Sequence, residues 1–181
     1  MRVITGSARG RRLTTLPGTD IVRPTSDKIK EAVFSSIQFD IEGRRVLDLF
    51  AGSGQMGIEA LSRGAESAVF VDKSAAAIDI VKKNLEVCGF CDNARIVHSD
   101  FMSYLLRSSD IFDIVFLDPP YKSGLLADAL RNTVSHLSNY GMVFCEHPSD
   151  IILPESVGEF SISRIFKFGG IFVTMYKKGA A

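Results

Sequence analysis

The stretch VLDLFAGSGQMGIEALSRGA, residues 46–65, decides how this chain folds. Its first five residues form a short apolar run of the kind found in a strand buried on both faces. Gly52, Gly54 and Gly57 then make a G-x-G-x-x-G turn, and helical periodicity follows over roughly 55–63. A buried strand, a glycine turn and a helix, in that order, open a βαβ unit whose turn lies at the carboxyl edge of a parallel sheet. Glycines at such a turn permit positive φ and let a ligand approach the backbone closely.

Further strands are predicted on either side of each helical period. AVFVD (68–72), ARIVHSD (94–100), DIVFLD (113–118) and MVFCE (142–146) read as strands, and helices fill roughly 55–63, 74–88, 101–107 and 123–138. The tail differs: FSISRIFKF (160–168) and IFVTMYKK (171–178), joined at Gly169-Gly170, read as an antiparallel hairpin closing the sheet. Upstream, RVIT (2–5) and RRLTT (11–15) flank a turn containing Gly6, Ser7 and Gly10, which reads as a short basic hairpin. Thr25, Ser26 and Asp27 offer a helix start, and Ile29, Val33, Phe34 and Ile37 carry an apolar stripe to about Gln38. The pattern is that of an α/β protein with a mostly parallel sheet.

The chain has 181 residues, 46% of them hydrophobic, which suits one domain with a full core: a basic hairpin and helix extension over 1–40 and the main body over 41–181. The formal net charge is zero, but residues 1–30 carry +5 and the remainder −5. A basic arm on an acidic body implies a polyanionic partner. Arg9, Arg11, Arg12 and Arg23 are its candidate phosphate contacts. The opening MRVITGSARGRR lacks the apolar core of a signal peptide and no run of about 18 apolar residues occurs, so a cytoplasmic location and no membrane partner are expected.

Cys88, Cys91 and Cys145 are an odd number, which argues against a disulfide framework. CGFC (88–91) matches C-x-x-C, but His98, His136 and His147 supply no second pair at zinc-ligand spacing, and the motif closes a helix where a redox motif opens one. The simpler reading is a Gly89 helix cap, with no metal expected.

Asp72 follows Gly52 by 20 positions, the spacing of a nicotinamide-binding domain. Asp48, four residues before Gly52, argues otherwise. A carboxylate there would repel a pyrophosphate and attract a cation. S-adenosylmethionine has no phosphate and carries an ammonium and a sulfonium, so the loop suits it better than NAD. Asp72 is placed to accept from both ribose hydroxyls, and Asp100 could take an adenine amine.

FLDPPY (116–121) is the most specific stretch. A proline pair cannot continue a ladder, so a rigid strand exit is its simplest role. Proline also restricts the residue before it, which holds the Asp118 carboxylate and the Pro119 carbonyl in set directions. If each accepts one N–H of an exocyclic base amine, the nitrogen lone pair is aimed at a methyl donor. Catalysis is then mainly positioning, plus removal of one proton. Tyr121 can stack on a base that has left its helix.

With these residues in view, VLDLFAGSGQMGIEALSRGA and FLDPPY resemble the class I S-adenosylmethionine-dependent methyltransferases acting on amino nitrogens. MRVITGSARGRRL and VRPTSDKIKEAVF narrow the resemblance to the RsmD-like bacterial enzymes that methylate the N2 amine of a guanine in 16S ribosomal RNA. The resemblance implies a Rossmann-like, seven-stranded, mostly parallel sheet with an antiparallel last strand and helices on both faces. It also implies an RNA-contacting N-terminal extension and an rRNA substrate, free or within a small-subunit assembly particle.

By position, Asp48, Gly52 and Gly54 would line the methionine end of the cofactor, Asp72 its ribose and Asp100 its adenine, with Phe50, Ser53, Lys73 and Phe101 completing the set. Asp118, Pro119, Pro120 and Tyr121 would hold the guanine. Two departures stand out: Gln55 and Met56 are bulkier than the small apolar pair usual in the family, and Asp72 replaces a more frequent glutamate. Other planar amines, namely adenine N6 or cytosine N4 of DNA and a glutamine side chain, would fit the same turn. A dehydrogenase and a non-enzymatic RNA-binding protein are the readings from other classes. The first lacks a substrate domain, and the second needs neither the acids nor the DPPY turn.

Overall fold

Val46 and Leu47 are fully buried, yet they face opposite sides of a sheet, and this alternation organises the protein. The computed structural model describes residues 1–16, 24–121 and 124–179. In chain order the elements are α1 (Pro24–Ser36), β1 (Arg45–Asp48), α2 (Gln55–Ser62), β2 (Ser67–Asp72), α3 (Ala75–Cys88), β3 (Ala94–His98), α4 (Phe101–Arg107) and β4 (Phe112–Leu117). They continue with α5 (Leu126–Thr133), β5 (Leu137–Pro148), β6 (Ser156–Val157), β7 (Phe160–Phe168) and β8 (Ile171–Lys178). One sheet runs in the order β3-β2-β1-β4-β5-β8-β7-β6.

β1 to β5 are parallel, and β8 inserts antiparallel between β5 and β7. The sheet thus has eight strands where the sequence predicts seven. The extra one, β6, is a two-residue edge pairing of Ser156 with Ser161 and Val157 with Phe160, too short to leave a periodic signal. On one face Val46, Phe70, Phe116 and Phe144 pack against Val33, Phe34 and Ile37 of α1 and Ile58 of α2. On the other, Leu47, Val69, Val115 and Val143 meet Tyr104 and Leu105 of α4 and Ala129 and Leu130 of α5.

The predicted helix over 123–138 is shorter. It ends at Thr133, Val134–His136 tighten into a 3₁₀ turn, and β5 begins at Leu137, five residues before the predicted strand. Leu137 pairs with Phe112 of β4 and Met142 with Ile114, which pins the segment between them as extended chain at both ends and overrides weak helical periodicity. The β4–β5 register shifts between Phe112 and Ile114, and Gly141 sits in that irregularity, where a Cβ would lie 2.8 Å from the Leu137 Cβ. At Gly89, φ is 77° and the Phe90 N–H donates to the Leu85 carbonyl at 3.0 Å, the helix cap read from CGFC.

The N-terminal basic hairpin closes with a single antiparallel bridge, Arg2 to Arg12, with Gly6 and Gly10 at positive φ in its turn. It docks on α2. The buried Glu59 carboxylate accepts from the Ile4 N–H at 2.8 Å, the Thr5 N–H at 3.0 Å and the Arg63 Nε at 2.8 Å, and Lys30 Nζ lies 3.8 Å away. Lys30 is itself buried and donates to the Arg2 carbonyl. Burial lowers its pKa against the pull of Glu59. Removing one partner from such a cluster strands a buried charge, at a cost of about 3–5 kcal/mol. Among the described residues, no helix is long and apolar enough to cross a membrane.

Candidate active site

The carboxyl ends of β1, β2, β3 and β4 open onto one cleft of about 710 Å³. Its floor is the glycine loop, where φ is 55° at Gly52 and 76° at Gly54. The open side of Gly52 has no atom closer than 4.0 Å to the place a Cβ would take, which leaves its backbone approachable. Gly54 and Gly57 serve packing instead. A Cβ on Gly57 would fall 2.3 Å from the Phe70 ring, so only glycine lets α2 approach β2.

Asp72 ends β2 and ties the loop down: Oδ2 accepts from the Gly52 N–H at 2.9 Å and Oδ1 from the Ser74 N–H at 2.8 Å. Each oxygen keeps a lone pair for a further donor in the cleft. Asp100 is exposed and caps α4, accepting from the Ser103 N–H at 2.9 Å; the Ser103 hydroxyl first, and this N–H after it, hold its pKa low. Phe50 and Phe101 form a tilted ring pair with centroids 5.4 Å apart on the cleft wall.

Asp48 lies beneath the loop and does not line the cleft. It is buried, and Oδ2 accepts from the Gly57 N–H at 3.1 Å. Burial, with a smaller push from Asp72, raises its pKa to about 7. A carboxylate so placed loses its charge readily unless a cation compensates it.

Asp118 follows β4 directly and sits in the cleft with Pro119, Pro120 and Tyr121. Its side chain is open to the cleft yet walled by protein, and desolvation together with Glu146 and Asp48 raises its pKa well above the usual carboxylate range. Glu146 is on β5 beside it, because Leu117 pairs with Cys145 one residue earlier. The Tyr121 hydroxyl donates to Glu146 Oε1 at 2.7 Å. A second, smaller cavity of about 190 Å³ lies beyond Pro119, Pro120 and Tyr121, lined by Glu146, Pro148 and Leu153 among others. The proline turn therefore separates two hollows.

Of the residues singled out in the sequence, the cleft gathers Phe50, Gly52, Ser53, Asp72, Lys73, Asp100, Phe101, Asp118, Pro119, Pro120 and Tyr121. Asp48 and Gly54 support it from below. Arg9, Arg11 and Arg12 are exposed on the hairpin and form no ion pair among the described residues; Arg23 lies outside them. Sequence reasoning missed Leu16, Gln55, Ser99 and Leu125 in the cleft wall, and Glu146 beside Asp118. Only Gln55 carried a signal, its size in a glycine turn. Among the described residues, no cluster of metal-ligating side chains is present.

The family model described as "Conserved hypothetical protein 95" matches residues 1–177. "Putative rRNA methyltransferase YlbH" of Bacillus subtilis (strain 168) is 42% identical over 183 residues, covering 98% of this chain and 99% of that protein. "Ribosomal RNA small subunit methyltransferase D" of Escherichia coli (strain K12) is 33% identical over 182 residues, covering 99% and 91%. Among solved structures, "Putative methyltransferase yhhF" from Escherichia coli superposes with a TM-score of 0.86 at 33% identity, covering 100% of this chain and 99% of that one. Full-length likeness and a shared class I methyltransferase fold together establish that the chain belongs to the Conserved hypothetical protein 95 family, the RsmD-like group.

Proposed function

We propose that this protein transfers the methyl group of S-adenosylmethionine to the exocyclic N2 amine of a guanine in 16S ribosomal RNA, within a small-subunit assembly particle in the cytoplasm. The observation that carries this reading is the placement of the DPPY turn, with Asp118 in the large cleft and Pro119 lining both that cleft and the smaller cavity. The large cleft falls in the range of roughly 300–1,000 Å³ typical of small-molecule sites. Its donor set fits the cofactor: carboxylates at Asp72 and Asp100, approachable backbone at Gly52 and, among the described residues, Lys73 as the one cation in its lining. When bound, the cofactor supplies an electrophilic methyl group.

The chain's own residues do the rest. Asp118 and the Pro119 carbonyl accept the two amine hydrogens and turn the nitrogen lone pair towards the cleft. The N–C bond forms as the S–C bond breaks, and the nitrogen's extra proton passes to Asp118, whose raised pKa suits that acceptance. Tyr121, held by Glu146, offers a ring face for the base. Arg9, Arg11 and Arg12, with Arg23, contact RNA phosphates. In this reading residues 1–40 are the RNA-binding extension and 41–181 the catalytic core.

The reading is tested by incubating the protein with labelled cofactor and either small-subunit particles, naked 16S RNA or DNA, followed by nucleoside analysis. Wild type yields N2-methylguanosine, and Asp118→Ala abolishes transfer while S-adenosylhomocysteine still binds. Full activity of Asp118→Ala, or label in adenine, cytosine or glutamine, overturns it.

A further inference from the structure

Gln55 opens α2 immediately after Gly54 and lines the large cleft beside Gly52, Ser53 and Asp118. Its Oε1 is shielded from solvent and has no hydrogen-bond partner among the described residues. Buried acceptors are nearly always paired, so an orphan in a binding cleft points to a missing donor. Two other atoms share this state, Asp27 Oδ1 and Thr133 Oγ1. Asp27 Oδ1 lies 4.0 Å from Lys30 Nζ, and neither residue lines the cleft. The glycine turn requires no amide here, and a small apolar residue would fill the position with nothing left unmade.

We propose that the Gln55 amide is a polar contact for the amino-acid end of the cofactor, with Oε1 accepting a hydrogen bond from its ammonium. The assignment rests on the cofactor reading above. It follows from placement: Asp72 and Asp100, suited to ribose and adenine, stand at the ends of β2 and β3, so in the strand order β3-β2-β1-β4 the rest of the ligand runs towards the β1 loop, after which Gln55 opens α2 in the cleft wall. The ligand's amino-acid end therefore falls beside Gln55. A turn of the terminal amide, a soft torsion, brings Oε1 to face the cleft.

The test is calorimetric titration of wild type, Gln55→Leu and Gln55→Glu with S-adenosylhomocysteine and with 5′-methylthioadenosine, which keeps the nucleoside and sulfur but lacks the amino-acid end. Leucine preserves the volume and removes the acceptor. Its Kd for S-adenosylhomocysteine should rise about tenfold, the size of one hydrogen bond to a charged group, while that for 5′-methylthioadenosine stays within about twofold. Gln55→Glu, which keeps an acceptor, should bind S-adenosylhomocysteine at least as tightly as wild type. Equal losses for both ligands, or no loss for either, overturn the assignment alone. Failure of wild type to bind S-adenosylhomocysteine overturns the cofactor reading and this assignment with it.

Discussion

Asn84 and Ser53 are joined by a hydrogen bond, Asn84 Nδ2 donating to the Ser53 carbonyl at 2.8 Å. The same buried amide accepts from the Thr14 N–H at 2.8 Å and donates to the Thr14 carbonyl at 3.0 Å. One side chain of α3 thus holds both the basic arm and the glycine loop, and Leu16, two residues beyond Thr14, forms part of the cleft wall.

Asn84→Ala leaves the Thr14 and Ser53 groups without their buried partner. A loss of about 2 kcal/mol in stability is expected, with weaker S-adenosylhomocysteine binding and faster proteolysis within residues 1–16. Urea unfolding, calorimetry and limited proteolysis measure the three. An arm as resistant to protease as in wild type would contradict the tether.

Asp48→Asn should stabilise the fold while weakening cofactor binding. The folded-state pKa of about 7 lies above the ordinary carboxylate value of 3.8, so the folded protein holds this proton more tightly than the unfolded chain. Stability linked to Asp48 is therefore full at low pH and declines as pH rises from about 4 to 7. The asparagine variant lacks that decline and should gain roughly 2 kcal/mol at pH 8. Melting curves across pH 5–8 check this; parallel curves for the two proteins would refute it.

Gly57→Ala places a methyl 2.3 Å from the ring of Phe70, which is fully buried. Overpacking of this kind costs about 1–3 kcal/mol and outweighs the gain in helix propensity. Denaturant titration should show a lower midpoint with an unchanged slope.

Glu146→Gln bears on the acid limb of the pH–rate profile. In the proposed mechanism the ionised form of Asp118 accepts the amine hydrogens, so transfer should rise as pH climbs through its raised pKa. Removing the Glu146 charge lowers that pKa while an amide oxygen remains for the Tyr121 hydroxyl. The limb should move to lower pH in single-turnover measurements. An unmoved limb would mean that another group controls it.

Replacing Arg9, Arg11 and Arg12 together by glutamine should weaken RNA binding at every sequence. Each lost phosphate contact should reduce the slope of log affinity against log salt by about one unit. Filter binding over a range of salt measures the slope, and cofactor affinity should stay within about twofold.

The order of strands and helices was legible because hydrophobic periodicity is local: β1, the glycine loop and α2 follow from VLDLFAGSGQMGIEAL alone, and the DPPY turn announces a stiff strand exit. The carboxylates Asp72, Asp100 and Asp118 were legible too, since each ends or follows its own strand. Residues 137–141 were not, because their strand state depends on the pairing of Leu137 and Met142 with β4, which is distant in sequence. Nor were Glu146 beside Asp118, Leu16 in the cleft, or Asp48 beneath the loop. Sequence spacing sets which residues stand at strand ends, whereas the side chains that meet there depend on sheet register and on the arm docking through Glu59 and Asn84. Such contacts join residues 54 to 70 positions apart, and no local pattern encodes them.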